Sequence, residues 1–202
     1  MCKDENGNAA LAAMTARVMG RASLPYPLDV VVFDDALVNA YALPGGHVVL
    51  FRGLIDVATH PDEVAAVLAH EIGNVAARDP TQLALQSAGA AAVLGDASGG
   101  TMMLAFAHRF FDARYSQAAE IKADAYAHRR LQAAGLPPDA LADLFERLRE
   151  TGGEFDGVLR YFSSHPSLAN RIEAAQSAPS PDAAGAASLS PAQWSALQQI
   201  CG

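Results

Sequence analysis

The segment from Glu63 to Arg78 contains a His-Glu pair, His70 and Glu71, followed by Asn74. Its remaining interior residues are apolar, which predicts a buried helix whose three polar groups need partners. On a helix, positions 70 and 74 lie one turn apart on one face, with position 71 beside them. Zinc hydrolases place ligands at i and i+4 and a carboxylate at i+1 that accepts a proton from the attacking water. We therefore interpret this segment as a candidate metal and catalytic site.

The surrounding patterns predict an α+β fold that is mostly α-helical. Two runs of β-branched and aromatic residues, at 29–33 and 47–51, predict the strands of a small N-terminal sheet. A Pro-Gly-Gly turn lies between them. Apolar spacing and helix boundary signals predict four main helices. The first covers 8–21 with Asn8 as its cap, and the second begins at Pro61 and ends before Pro80. The other two cover 116–134 and 139–150.

The length and composition of the chain predict one domain with a C-terminal extension. Residues 1–176 form the domain, 177–190 are an Ala/Ser/Pro-rich linker, and 191–202 contain a short helix. Residues 88–111 are rich in Ala, Gly and Met and predict a helical hairpin on the core. A surface that covers a cleft or touches a membrane is the alternative for that segment.

Four motifs occur in order along residues 29–172. They are VNAYALPGG at 38–46, the segment 63–80, Tyr115-Ser116 with Glu120 and Asp124, and Ser164-His165-Pro166 with Arg171-Ile172. Together they resemble the HtpX-like and CAAX-prenyl-protease-like gluzincin metallopeptidases. The resemblance implies a zincin-like peptidase domain with a small N-terminal β-sheet and an active-site helix.

The resemblance also implies roles for individual residues. It places His70, Asn74 and Glu120 at the metal-ligand positions, Glu71 at the general base, and Asp124 where it holds the second nitrogen of His70. A solvated acidic face is the alternative for the two carboxylates on the second helix. His165 corresponds to a catalytic position near the metal, and a capping or packing role is its alternative. Residues 38–46 resemble the family's edge-strand motif, which implies substrate-binding residues there and just after it, namely Asn39, Ala40, Gly45, Gly46, His47 and Val48.

Asn74 departs from the His-Glu-x-x-His pattern and leaves the metal site open to three interpretations. A neutral amide oxygen is a poor zinc ligand and suits harder cations better. The site recruits His165 in place of the missing imidazole, binds metal weakly through Asn74, or is empty.

Two hypotheses about function follow. The first is a zinc metalloendopeptidase-type domain with one Zn²⁺ per chain, which pairs an extended polypeptide with an edge strand at 47–51 and hydrolyses it with Glu71 as general base. The alternative is a pseudo-peptidase, a binding or chaperone-like module whose metal site is degraded because Asn74 replaces a His ligand.

Composition excludes some partners. The formal net charge of −8 and the pI near 5.1 argue against nucleic-acid binding, which needs a basic surface. No apolar run is long enough to predict a transmembrane helix. The resemblance implies a membrane-associated or periplasmic location and the soluble portion of a longer bacterial protein, with membrane proximity.

Cys2 and Cys201 are the two cysteines, at opposite ends of the chain. Two unpaired surface thiols are the favoured interpretation. A disulfide between the termini is the alternative, and it would indicate an oxidising compartment.

Overall fold

Helices pack around one central helix, and a small sheet lies beside it. The computed structural model describes residues 1–24, 26–78, 80–82, 116–150, 168–177 and 185–202. The strands are β1 (Asp29–Phe33), β2 (Ala40–Leu43) and β3 (His47–Phe51). The helices are α1 (Glu5–Met19), α2 (Arg52–Val57), α3 (Pro61–Ala77), α4 (Gln117–Ala133), α5 (Ala140–Glu150), α6 (Leu168–Gln176) and α7 (Pro191–Gln198). This confirms the predicted α+β, mostly α-helical class. The segment 88–111, His165 and Tyr115 lie outside the described residues.

The sheet has the strand order β1-β3-β2. β3 pairs in parallel with β1 and antiparallel with β2, so both of its edges are hydrogen-bonded. The prediction that residues 47–51 offer an edge to a substrate was therefore wrong. Among the described strands, β2 is an outer strand, and it packs against α3. β2 has the sequence Ala-Tyr-Ala-Leu, which lacks the β-branched residues that revealed the other two strands.

α3 is the central helix and is buried along most of its length, as its apolar composition predicted. Every residue from Pro61 to Val75 is buried. Pro61 occupies the first turn, where its missing N–H costs nothing, and the acidic first turn suits the positive end of the helix dipole. The helix ends at Arg78, which adopts a left-handed conformation with φ of 60°. A helix surrounded on all sides holds its polar side chains in a fixed, water-poor setting.

α4 crosses α3 at close range because α3 carries a glycine at the crossing. A Cβ atom on Gly73 would lie 3.0 Å from the Ala123 carbonyl oxygen and 3.1 Å from the Ala123 Cα. A larger residue would push the helices apart. The glycine therefore sets the distance between the polar face of α3 and the facing side of α4.

The two ends of the chain are joined by a disulfide between Cys2 and Cys201, whose Cα atoms are 4.5 Å apart. The favoured expectation of two free thiols was wrong, because α7 packs along α1 and brings the termini together. Leu197 and Ile200 are fully buried in this contact. The first helix also begins earlier than predicted, since the Asp4 side chain, and not Asn8, caps it by accepting from the Gly7 N–H at 2.7 Å.

The C-terminal segment reaches the start of α3. The Ser188 N–H donates to Asp62 Oδ1 at 2.6 Å, and Leu189 is buried. Within the described ranges, no helix is both long and apolar enough to cross a membrane.

Candidate metal and catalytic site

α3 presents His70, Glu71 and Asn74, and all three side chains are fully buried. The Asn74 amide donates from Nδ2 to Glu71 Oε2 over a long 3.4 Å. That orientation leaves the Asn74 Oδ1 atom as a buried acceptor without a hydrogen-bond partner among the described residues. A buried unsatisfied oxygen is unfavourable by itself and indicates a position where a cation or donor would bind.

α4 brings two carboxylates to the His70 ring. Glu120 and Asp124 lie one turn apart on the buried side of α4. Asp124 Oδ1 is 2.8 Å from His70 Nδ1, and Glu120 Oε2 is 3.8 Å from His70 Nε2. The two ring nitrogens therefore face different carboxylates. The fully buried Glu120 and the nearly buried Asp124 do not form a solvated acidic face.

Arg171 on α6 holds both carboxylates, a role that sequence reasoning did not assign. Its Nε donates to Asp124 Oδ2 at 2.7 Å and its Nη2 donates to Asp124 Oδ1 at 2.8 Å, which is a bidentate pair. Its Nη1 forms an ion pair with Glu120 Oε2 at 2.8 Å. The guanidinium also lies over the Phe145 ring, 5.1 Å from its centroid. The assignment of two carboxylates to one site was the available signal that a basic residue joins them.

The electrostatic environment affects His70 and Asp124 in opposite directions. Burial and the Arg171 charge lower the pKa of His70, but the hydrogen bond with Asp124 and the negative charges of Asp124 and Glu120 outweigh them and raise it. Burial raises the pKa of Asp124, but its hydrogen bonds with His70 and Arg171 dominate and hold that pKa well below its usual range. Asp124 is therefore an ionised acceptor at neutral pH.

An ionised Asp124 fixes which His70 nitrogen carries a proton. The short contact to Asp124 Oδ1 is satisfied by a proton on Nδ1. Arg171 Nη2 lies 3.1 Å from the same nitrogen. Because Nη2 and the protonated Nδ1 are both donors, they do not bond to each other. They lie close together because both donate to Asp124 Oδ1. In the neutral ring, Nε2 then presents its lone pair toward the Glu120 side. This is the tautomer that a metal-ligating histidine requires.

The residues present fit a divalent cation. Nitrogen and oxygen ligands lie about 2.0–2.2 Å from zinc, so the 3.8 Å between His70 Nε2 and Glu120 Oε2 is a distance that one ion spans. Three buried acidic side chains, Glu71, Glu120 and Asp124, face one buried basic side chain, Arg171, and a divalent cation would offset this imbalance. His, Cys, Asp and Glu side chains of the described residues form no group of three that could hold a metal ion. Asn74 Oδ1 is a further buried acceptor on the same face of α3 as His70.

The predicted substrate residues lie in three places along the sheet. Asn39 and Ala40 are buried at the start of β2, where the Asn39 amide donates to the Tyr41 hydroxyl at 2.7 Å. Gly45 and Gly46 form the turn between β2 and β3 with φ of 90° and 93°. Val48 and His47 follow in β3, where Val48 is buried and the exposed His47 pairs with Asp29 at 3.0 Å.

A buried helix bearing a His-Glu pair, crossed by a second helix bearing a Glu and an Asp, is the arrangement of a metallopeptidase of the gluzincin class. The model of peptidase family M48 matches residues 5–178. The chain therefore belongs to peptidase family M48.

The names of similar proteins are consistent with this family. The chain is 31% identical over 142 residues to the mitochondrial metalloendopeptidase OMA1 of Arabidopsis thaliana, covering 69% of this chain and 29% of that protein. It is 29% identical over 168 residues to the metalloprotease LoiP of Escherichia coli strain K12, covering 78% of this chain and 65% of LoiP. It is 29% identical over 191 residues to the protease HtpX of Psychrobacter sp. strain PRwf-1, covering 72% of this chain and 63% of HtpX. The chain thus spans under two thirds of each of these relatives.

Proposed function

We propose that this domain is a zinc-dependent metalloendopeptidase. The observation that carries the proposal is the convergence of His70 Nε2 and Glu120 Oε2 to 3.8 Å, from two helices fifty residues apart in sequence. Metallopeptidase names among the relatives support the same reaction class.

His70, Glu120 and Asn74 would hold the zinc ion, with His165 as the other candidate for the third ligand. When bound, zinc polarises a carbonyl oxygen and makes a water molecule more acidic. Asp124 would fix the proton on His70 Nδ1, and Arg171 would hold Asp124 and Glu120 in place. Each of these contacts keeps a ligand atom oriented before substrate arrives, which is the requirement for efficient transition-state stabilisation.

Glu71 would act as the general base. It lies one residue after His70 on α3, and its Oε2 atom accepts the Asn74 amide at 3.4 Å. Its carboxylate would accept a proton from the attacking water and pass it to the leaving amine. Burial of Glu71 excludes bulk water from this transfer. With Asn74 as the third ligand, His165 would donate a hydrogen bond to the developing oxyanion.

An extended polypeptide would bind along β2, in place of the β3 edge expected from sequence. β2 is paired with β3 on one side and packs against α3, which carries the catalytic residues. Backbone hydrogen bonds along a strand edge bind a peptide largely independently of its side chains. Asn39 and Ala40, at the start of this strand, are the predicted substrate residues that lie on the β2 side of the sheet.

The second candidate function is a pseudo-peptidase, and Asn74 is the observation that favours it. An amide oxygen in place of an imidazole weakens zinc binding. A chain with an empty site would still bind polypeptide along β2 without cutting it.

Casein cleavage separates the two candidates. Under the enzyme proposal, the purified chain cleaves casein with added zinc, and Glu71→Gln abolishes the cleavage. Under the alternative, the chain binds no zinc and cleaves casein only as the Asn74→His variant. Glu146→Gln, a partly exposed glutamate on α5, is the control and should retain the activity of the unmodified chain.

The disulfide supports an oxidising compartment as the location. Disulfides persist in the periplasm and other extracytosolic spaces and are rare in the reducing cytosol. A periplasmic or membrane-adjacent location is consistent with the Cys2–Cys201 bridge. Mass measurement of the protein isolated from its native host without reductant tests this proposal, since two free thiols would contradict it.

A further inference from the structure

A cavity of about 200 Å³ lies between α4 and α6, next to the candidate metal site. Its inner wall is formed by Glu120, Asp124 and Arg171, so it shares a candidate zinc ligand with the site. Its other lining residues include the apolar Ile121, Ala125 and Ala174, together with the polar Gln117 and His128. No role in metal binding or catalysis described above uses these apolar residues.

Ile121 marks the mouth of this cavity. Its side chain is 60% exposed, and it is one of three large hydrophobic residues that are exposed among those the structure describes. Solvent-exposed apolar side chains beside a concave apolar surface indicate a place where another apolar group binds. A cavity of this volume accepts one large side chain, since a water molecule accounts for about 30 Å³ of liquid.

His128 adds a polar group to the cavity. It lies two turns after Ile121 along the same side of α4, and its buried Nε2 atom has no hydrogen-bond partner among the described residues. Burial and the positive charge of Arg171 lower the pKa of His128 against the opposing effect of Asp124. The ring is therefore neutral at pH 7 and can donate or accept one hydrogen bond.

We propose that this cavity binds a tyrosine side chain of the polypeptide substrate, with the ring against Ile121, Ala125 and Ala174 and the hydroxyl hydrogen-bonded to His128 Nε2. The inference rests on the proposed peptidase function. The cavity shares Glu120 with the candidate metal site, and this shared residue identifies the occupant as part of the substrate. It makes His128 a specificity-determining residue and tyrosine a preferred residue near the scissile bond.

The first test uses p-cresol, the tyrosine side-chain analogue, and methyl NMR of the complete chain. p-Cresol should shift the methyl signals of Ile121 and Ala125. Ala125→Trp fills the cavity and should abolish the shift at Ile121, whereas Ala118→Trp, at an exposed position of the same helix, should preserve it. Ala174→Trp fills the cavity from α6 and provides the same test if Ala125→Trp does not fold. Unchanged methyl signals, or equal binding after the cavity is filled, would overturn the proposal.

The second test concerns selectivity. Peptides that differ only in one central residue should bind the Glu71→Gln chain about 3- to 10-fold more tightly with Tyr than with Phe, which is the effect of one net hydrogen bond. His128→Leu should remove this preference while leaving the affinity for the Phe peptide within about twofold. Equal affinities for the Tyr, Phe and Ala peptides in the Glu71→Gln chain would contradict the assignment.

These binding readouts do not require cleavage. Failure of p-cresol and of the Tyr peptide to bind overturns the cavity assignment and leaves the peptidase proposal standing. Failure of casein cleavage, with Tyr-selective binding intact, overturns the peptidase proposal alone and leaves a Tyr-selective polypeptide-binding module.

Discussion

At the scale of single residues, Arg171 balances two buried carboxylates. It is itself nearly buried and contacts Asp124 through Nε and Nη2 and Glu120 through Nη1. Removing one member of a buried ion network leaves the others without compensation and typically costs about 3–5 kcal/mol. We expect Arg171→Met to lower the free energy of unfolding by that amount in urea denaturation. Arg129→Met, at an exposed position of α4, is the control. A loss below about 1 kcal/mol for Arg171→Met would contradict this account.

Asn74 limits metal affinity in the proposed site. Replacing its neutral oxygen by an imidazole nitrogen supplies a better zinc ligand. We expect Asn74→His to raise zinc affinity at least about 10- to 100-fold, as measured by competition with a chromophoric chelator. Asn6→His, on the exposed start of α1, controls for adventitious histidine binding. Equal affinities for Asn74→His and the unmodified chain would mean that position 74 does not face the metal.

Much of the site could be predicted from residue types and motif order. The structure places Glu120 and Asp124 against His70, and Asn74 against Glu71, while their roles in metal binding and catalysis stay predictions. Arg171 was recognised in a motif, but its role depends on how α6 packs against α4, which no local pattern encodes. The same holds for His128, because an orphaned ring nitrogen is visible only once the neighbours are known.

At the scale of helices, Gly73 sets the approach of α3 and α4. An added methyl group would meet the Ala123 backbone at 3.0 Å, and overpacking of this kind costs about 1–3 kcal/mol. Alanine regains about 1 kcal/mol through its helix propensity. We expect Gly73→Ala to lower the free energy of unfolding by up to about 2 kcal/mol and to weaken zinc binding by separating His70 from Glu120. Ala77→Ser, near the end of α3, is the control. A Gly73→Ala chain more stable than the unmodified one would contradict close packing at this crossing.

Elements with strong local signals were predicted well. The predicted bounds of β1 and β3 match the structure, whereas α2 and α6 were not predicted. Cap and stop signals located α3 and α4 to within about two residues, because proline, serine and glycine act locally on the backbone. The residue pattern did not predict β2, because the conformation of this strand depends on its pairing with β3 and its packing on α3. Without β2, the pattern placed β3 at an edge of the sheet, whereas the structure has it in the centre. The strand order depends on long-range pairing, which local patterns do not show.

At the scale of the whole molecule, the disulfide closes the chain into a ring. The bridge spans a sequence separation of 199, and a crosslink over a long loop restricts the unfolded chain strongly. We expect the double variant Cys2→Ser/Cys201→Ser to lose about 2–5 kcal/mol of stability, which corresponds to roughly 2–4 °C in Tm for each kcal/mol. Scanning calorimetry measures this difference. The variant should not respond to reductant, whereas the unmodified chain should. Identical Tm values would show that the bridge restricts little.

The pairing of the cysteines was not predictable from their number. Two cysteines at opposite ends are compatible with separation or contact, and only the packing of α7 on α1 decides between them. The tight approach of Gly7 to Ile200, where a Cβ would lie 2.6 Å from the Ile200 Cβ, is part of that packing.

The central claim is that His70 and Glu120 hold one divalent cation between α3 and α4. Zinc titration of the purified chain, with bound metal counted by mass spectrometry, tests it most directly. We expect one zinc per chain, retained in Glu71→Gln and lost in both Glu120→Gln and His70→Gln, with all three variants folded by circular dichroism. Zinc that binds equally well to the Glu120→Gln chain, or no binding to the unmodified chain at saturating zinc, would contradict the claim.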